Sequence, residues 1–145
     1  MTEYAGSLDT NVLLRAILND IPEQHDAAKE LIERAGVKYR VCDTALIEMA
    51  FVLERHYGFS RQHIKEALAG VTAHPRLSCN ADLINNSAED FATHPALSFE
   101  DCYLAQSAKE AGALPLWTFE RKLAGQSEYS ELLTRGENKG QSIVK

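Results

Sequence analysis

The sequence predicts an α/β sandwich built around a mostly parallel sheet. Three observations carry that prediction. Short runs rich in β-branched and aromatic residues alternate with longer runs of helical periodicity along nearly the whole chain. Helix-start and helix-stop residues (Pro22, Gly36, Gly58, Ser60, Pro95) fall between the runs. No internal repeat or linker divides the 145 residues, so one domain is expected, with a core that needs no covalent staples.

The elements follow in order. "YAGSLDT" reads as a short buried strand ending at Asp9, and residues 10–19 as a helix with Val12, Leu13 and Ile17 inward. "IPEQHDAAKELIERAG" reads as a second helix, opened by Pro22 and stopped by Gly36. "VKYRVC" has strand composition, and Asp43 is placed to cap the helix "TALIEMAFVLERHYG", which ends at Gly58. Ser60 starts the helix "RQHIKEALAGV", and "RLSC" is a short strand. "NADLINNSAEDFATHP" is a weaker helix that must stop before Pro95. A helix over 99–111, the strand "LPLWT", a short helix over 119–124 and a last strand near "SELL" complete the series. The domain is expected over residues 1–133, followed by a polar, mobile tail at 134–145.

Composition excludes several classes of function. Hydrophobic content of 45% and charged content of 25% describe a soluble globular protein, and no apolar run is long enough to cross a membrane. The opening "MTEYAGSLDT" lacks the basic start and apolar core of a secretory leader, so a cytoplasmic location is expected. Cys42, Cys79 and Cys102 are widely spaced, and the five histidines show no metal-ligand spacing, which argues against a disulfide framework and a zinc site. The net charge of −6 opposes non-specific binding of nucleic acid unless a local basic patch or metal ions supply positive charge.

Three carboxylates stand in apolar surroundings. On a helix over 99–111, Asp101 shares a face with Leu104, Ala105 and Ala108. Glu48 is the only charge in "ALIEMAFVL", and Asp9 lies between "SL" and "VLLRAIL". Each has a structural explanation: Asp9 as a helix cap, Asp101 in an S-x-x-D start with Ser98, and Glu48 paired with Arg55 or Arg40. Together, convergent carboxylates without His or Cys suit a hard divalent cation, Mg²⁺ or Mn²⁺, and metal-assisted cleavage of a phosphodiester. Arg15, Arg121 and Lys122 are candidates for holding neighbouring phosphates. A haloacid-dehalogenase-type phosphatase would need a second Asp where Asn11 stands, and no G-x-S-x-G supports a serine hydrolase.

"LDTNVLLRAIL", "ALIEMAFVLERHYG" and "SFEDCYLAQSAKEAGALPLWTFERKL", in that order, resemble the PIN domain, and more narrowly the VapC-type toxins of bacterial toxin–antitoxin pairs. The resemblance spans roughly residues 5–133. It implies a five-stranded parallel sheet sandwiched by helices, metal-dependent endoribonuclease activity, homodimerisation and inhibition by a cognate antitoxin. By position, the family's acids correspond to Asp9, Glu48 and Asp101, with Asp9 and Asp101 holding the metal, Asn11 supporting Asp9 and Thr118 the late acid. One departure stands out: the block usually read T-F-D is "TFE" here, so the fourth acid is Glu120. The alternative is a PIN-like protein-binding module with weak or no nuclease activity, with Glu120 as its lesion.

Overall fold

A computed structural model describes residues 3–136. The chain runs β1 (Gly6–Leu8), α1 (Thr10–Ile17), α2 (Pro22–Ile32), β2 (Tyr39–Val41), α3 (Asp43–Arg55), α4 (Arg61–Thr72), β3 (Leu77–Ser78), α5 (Ala81–Thr93), α6 (Phe99–Glu110), β4 (Leu116–Thr118), α7 (Arg121–Gln126) and β5 (Ser130–Leu132). Every element expected from the sequence is present, in the expected order. The expected tail falls outside the described residues from position 137 onward.

All strand pairings are parallel, which places the C-terminal ends of paired strands on one edge. β1, β2 and β3 pair in that order, with Leu8 opposite Val41 and Tyr39 opposite Leu77. β4 and β5 form a separate ladder, with Thr118 opposite Leu132. The expected single five-stranded sheet is therefore corrected to two small parallel sheets. The physical reason lies in β1: Gly6 and Ser7 are exposed, and only Leu8 of this strand is buried. A strand with so little apolar side chain offers β4 poor lateral packing.

The core sits between the strands and the helices. Leu8, Tyr39 and Val41 share one buried cluster with Leu46, Met49, Ala50 and Leu53 of α3, which continues through Ile64, Leu68, Ile84, Phe91 and Cys102. Phe91 and Phe99 pack edge to face at 5.4 Å, joining α5 to α6. Burial pushes the Cys102 thiol up to about 12, so it behaves as an inert core residue.

The helix ends show why these segments start and stop. Ser60 accepts the His63 amide at 3.1 Å, as its position suggested. Asp43 is not the cap of α3. Cys42 occupies that place, and Asp43 is the first helical residue. Its carboxylate instead receives Asn80 at 3.1 Å and the Tyr103 hydroxyl at 2.5 Å, tying α3 to α6 and the start of α5. At the far end of α6, Ala113 donates to Ala108 at 2.9 Å and Gly112 to Lys109 at 3.0 Å. Gly112 has φ +69°, the left-handed conformation this closure requires.

One arginine secures the turn that leads into α6. A single terminal nitrogen of Arg61 donates to the carbonyls of Phe91, His94 and Leu97 at 2.9, 3.2 and 2.7 Å. Its Nε pairs with Glu54 at 3.1 Å, and its guanidinium lies 4.0 Å from the centre of the Phe91 ring. These contacts hold the end of α5 and the turn through Leu97 to the start of α4, and give the Phe91 carbonyl, whose helical partner would be Pro95, a donor.

Candidate active site

Asp9 leaves the carboxyl end of β1 and caps α1, its Oδ1 accepting the Val12 amide at 3.1 Å. The side chain is exposed. Asn11, expected to support it, is exposed as well, and the group bonded to the Asp9 carboxylate is the Val12 backbone amide. Thr10, between them, is 8% exposed and makes the decisive contact. Its hydroxyl lies 3.0 Å from Glu48 Oε1 and 3.2 Å from the Ala45 carbonyl. The start of α1, one residue beyond Asp9, is thereby fastened to the second turn of α3.

Glu48 is exposed, contrary to its apolar sequence context. The buried stripe of α3 is Ala45, Leu46, Met49, Ala50 and Leu53, and Glu48 faces the other way with Thr44 and Phe51. Neither Arg40 nor Arg55 reaches it; Arg55 lies over the Phe51 ring at 5.3 Å.

Asp101 is half-buried and belongs to a capping box. Ser98 Oγ accepts the Asp101 amide at 3.0 Å, and Asp101 Oδ2 accepts the Ser98 amide at 3.3 Å. The buried stripe of α6 is Phe99, Cys102, Ala105 and Gln106, while Leu104 is 45% exposed. Asp101 therefore lies at the edge of the buried stripe, in line with buried Ala105 but beside exposed Leu104. A cleft of about 390 Å³ runs between α3 and α6, with Glu48, Phe51 and Glu54 on one wall and Ser98, Phe99 and Glu100 on the other. Thr10 thus joins the residue after Asp9 to Glu48, and Ser98, the capping partner of Asp101, lies with Glu48 on the cleft, which Asp9 and Asp101 themselves do not line.

Glu120 stands apart. It follows β4 at the cap position of α7, and its amide donates to Thr118 Oγ1 at 2.9 Å. Its carboxylate is exposed and makes no hydrogen bond or ion pair among the described residues. Of the candidate phosphate-holding cations, Arg15 is committed elsewhere: it pairs with Asp20 at 2.6 Å and donates to Tyr57 at 2.9 Å. Arg121 and Lys122 are exposed and enter no ion pair among the described residues.

The donor chemistry of the four acids suits a hard divalent cation, and Asp9, Glu48 and Asp101 each keep one carboxylate oxygen outside the bonds described. Their side chains do not gather three acid, histidine or cysteine groups into one ligating cluster among the described residues. Mg²⁺ is commonly held by one or two carboxylates together with substrate oxygens, so its binding does not require a three-acid cluster.

The PIN domain family model matches residues 7–128, which takes in all four acids. The chain belongs to the PIN domain family. PIN domains are generally nucleases and usually use divalent metals. No curated protein matches the chain closely enough to name a nearer relative. No helix among the described residues is long and apolar enough to cross a membrane.

The sequence did not point to Thr10, which reads as an ordinary first helical residue. Nor did it point to the Asp43–Tyr103–Asn80 group, which lines a second cleft beyond the ends of β2 and β3 together with Cys42 and Cys79. Burial first, and the Asp43 carboxylate next, push the Tyr103 hydroxyl up to about 12.

Proposed function

We propose that this PIN domain is a metal-dependent endoribonuclease and the toxin component of a type II toxin–antitoxin pair. The observation that supports the nuclease reading is the bond from Thr10, the residue after Asp9, to Glu48, on a cleft that Ser98, the capping partner of Asp101, also lines. Asp9 directly follows β1, at the kind of strand end where α/β folds bind ligands. The exposure of Asp9, Glu48 and Glu120 suits a polymeric substrate that must reach the acids from solvent.

Asp9 and Asp101 would hold Mg²⁺ or Mn²⁺ through the oxygens turned away from their caps. When bound, such an ion supplies a nucleophile from water at neutral pH and offsets charge at the scissile phosphate. Glu48, held by Thr10, orients groups entering the cleft and accepts a proton from them. Glu120 completes the acidic rim, one methylene longer than the aspartate usual at that place. Arg121 and Lys122 hold phosphates flanking the scissile one. The toxin role, the cognate antitoxin and the homodimer rest on the sequence resemblance to VapC-type toxins.

The test is cleavage of a mixed structured-RNA pool in Mg²⁺, Mn²⁺ and EDTA, beside Asp9→Asn prepared identically. Metal-dependent products that vanish in the variant are expected, and equal products from both proteins would refute the reading. A second reading, a protein-binding module with weak or no nuclease activity, is favoured by one observation: the acids form no three-residue ligating group among the described residues. Silence from the unchanged protein, with cleavage restored by Glu120→Asp, would identify Glu120 as the lesion that the module reading assumes.

A further inference from the structure

Phe119 is 78% exposed, far more than any other large hydrophobic residue among those described; Phe51, the next, is at 51%. Scattered exposed apolar residues need no explanation by themselves. Phe119 differs because its backbone is held on both sides. The Thr118 carbonyl accepts the Leu133 amide at 2.8 Å, and the Thr118 hydroxyl accepts the Glu120 amide at 2.9 Å. The turn that presents the ring is therefore fixed before anything binds. No ring contact or cation–π partner engages it among the described residues.

Its neighbours in sequence choose between occupants. Glu120, Arg121 and Lys122 are exposed, and the two cations carry no ion pair among the described residues. The core of a protein–protein contact is depleted in charge, and docking this ring there would strip water from three adjacent charged groups. A single nucleic-acid strand uses the same arrangement directly: the flat ring takes a base, and the free cations take the phosphates beside it.

We propose that Phe119 is a stacking platform for one unpaired base of a bound RNA strand. This rests on the nuclease reading and narrows it to substrates that offer an unstacked base, as in a loop or single-stranded segment. A paired, stacked base has no free face to offer.

The experiment measures binding of a fluorescently labelled single-stranded oligoribonucleotide and of a blunt RNA duplex of equal length, in EDTA at low salt. The full chain is compared with Phe119→Ala, Phe119→Leu and Phe119→Trp. Phe119→Ala is expected to weaken single-strand binding by about 5- to 150-fold and to leave duplex binding unchanged. Phe119→Trp should retain binding, while Phe119→Leu, apolar without a flat face, should fall with the alanine variant. Single-strand binding by Phe119→Leu or Phe119→Ala equal to that of the unchanged protein overturns the platform. So does absence of single-strand binding by the unchanged protein, or a shift in its sedimentation on Phe119→Ala, which would assign the ring to a contact between copies. Metal-dependent cleavage of the RNA pool, lost in Asp9→Asn, is scored separately; its presence alongside a failed platform leaves the nuclease reading standing.

Discussion

Replacing Thr10 by valine keeps the side-chain shape and removes the one hydroxyl that joins α1 to Glu48. That hydroxyl has a single hydrogen, shared between Glu48 Oε1 at 3.0 Å and the Ala45 carbonyl at 3.2 Å. A hydrogen bond to an ionised acceptor contributes about 1.5–3 kcal/mol. Glu48 is exposed, so water replaces the lost donor and the lower figure applies. The new methyl is buried, since Thr10 is only 8% exposed, and returns up to about 0.8 kcal/mol. Thr10→Val should therefore destabilise the fold by about 1 kcal/mol, a fall of about 3 °C in Tm by circular dichroism. The loss of activity should be larger, about tenfold, because Glu48 is freed to rotate away from the cleft. Thr10→Ser keeps the donor and should retain most of the activity. If the valine variant cleaves RNA as fast as the serine variant, Thr10 does not position Glu48 and the link between the first two acids has no functional content.

Three further outcomes follow from the packing. Asp101→Asn removes the negative charge from the start of α6 while keeping an oxygen for the Ser98 amide, so it should cost about 0.5 kcal/mol; Ser98→Ala should cost about 1 kcal/mol. Urea unfolding decides the point, and a stabilised Asp101→Asn would mean that repulsion among the acids outweighs the cap. Arg61→Met should destabilise by about 2 kcal/mol, since the Phe91 and Leu97 carbonyls lose this donor while the His94 carbonyl keeps the Leu97 amide, and Arg61→Lys should recover less than half of that in the same titration. Tyr103 ionises near 12 in the fold rather than near its usual 10, so its stabilising contribution is complete below pH 10 and disappears as pH rises through 12. Tyrosinate absorbance should show one late-titrating group that Tyr103→Phe removes, and the variant should lose less stability than the unchanged protein between pH 10 and 12.

The order of elements and most of their ends were legible in the sequence because they depend on local chemistry. Ser60 and the Ser98–Asp101 pair are caps within four residues of what they bind, and Pro95 stops α5 wherever the rest of the chain goes. Faces were less legible. "ALIEMAFVL" is apolar nearly all round, so it carries no period from which to read that Glu48 points outward; only packing against Leu8, Tyr39 and Val41 settles it. The same limit made Leu104 look like core beside Asp101. With Asp9, Glu48 and Glu120 exposed, desolvation gives no reason to require a cation, and the metal reading rests on the donor chemistry of the acids and on the family. Thr10 and Asp43 act across 38 and 60 residues of sequence, on Glu48 and Tyr103, and no local pattern records such partners. The division of the strands into two ladders was equally hidden, because lateral neighbours are chosen by the whole sheet.

The two acids that cap helices have a consequence for how this site would change under neutral drift. Asp9 secures α1 and Asp101 secures α6, so selection for folding alone restricts both positions to residues that can still cap, whether or not RNA is ever cut. Glu120 has no such second employment: its carboxylate bonds to nothing among the described residues, and a change there leaves the fold untouched. In a lineage relieved of catalysis, the signature would decay from that end first. The position where this sequence departs from the usual aspartate is the one that foldedness does not protect, which makes the identity of residue 120 a more sensitive record of activity among its relatives than Asp9 or Asp101.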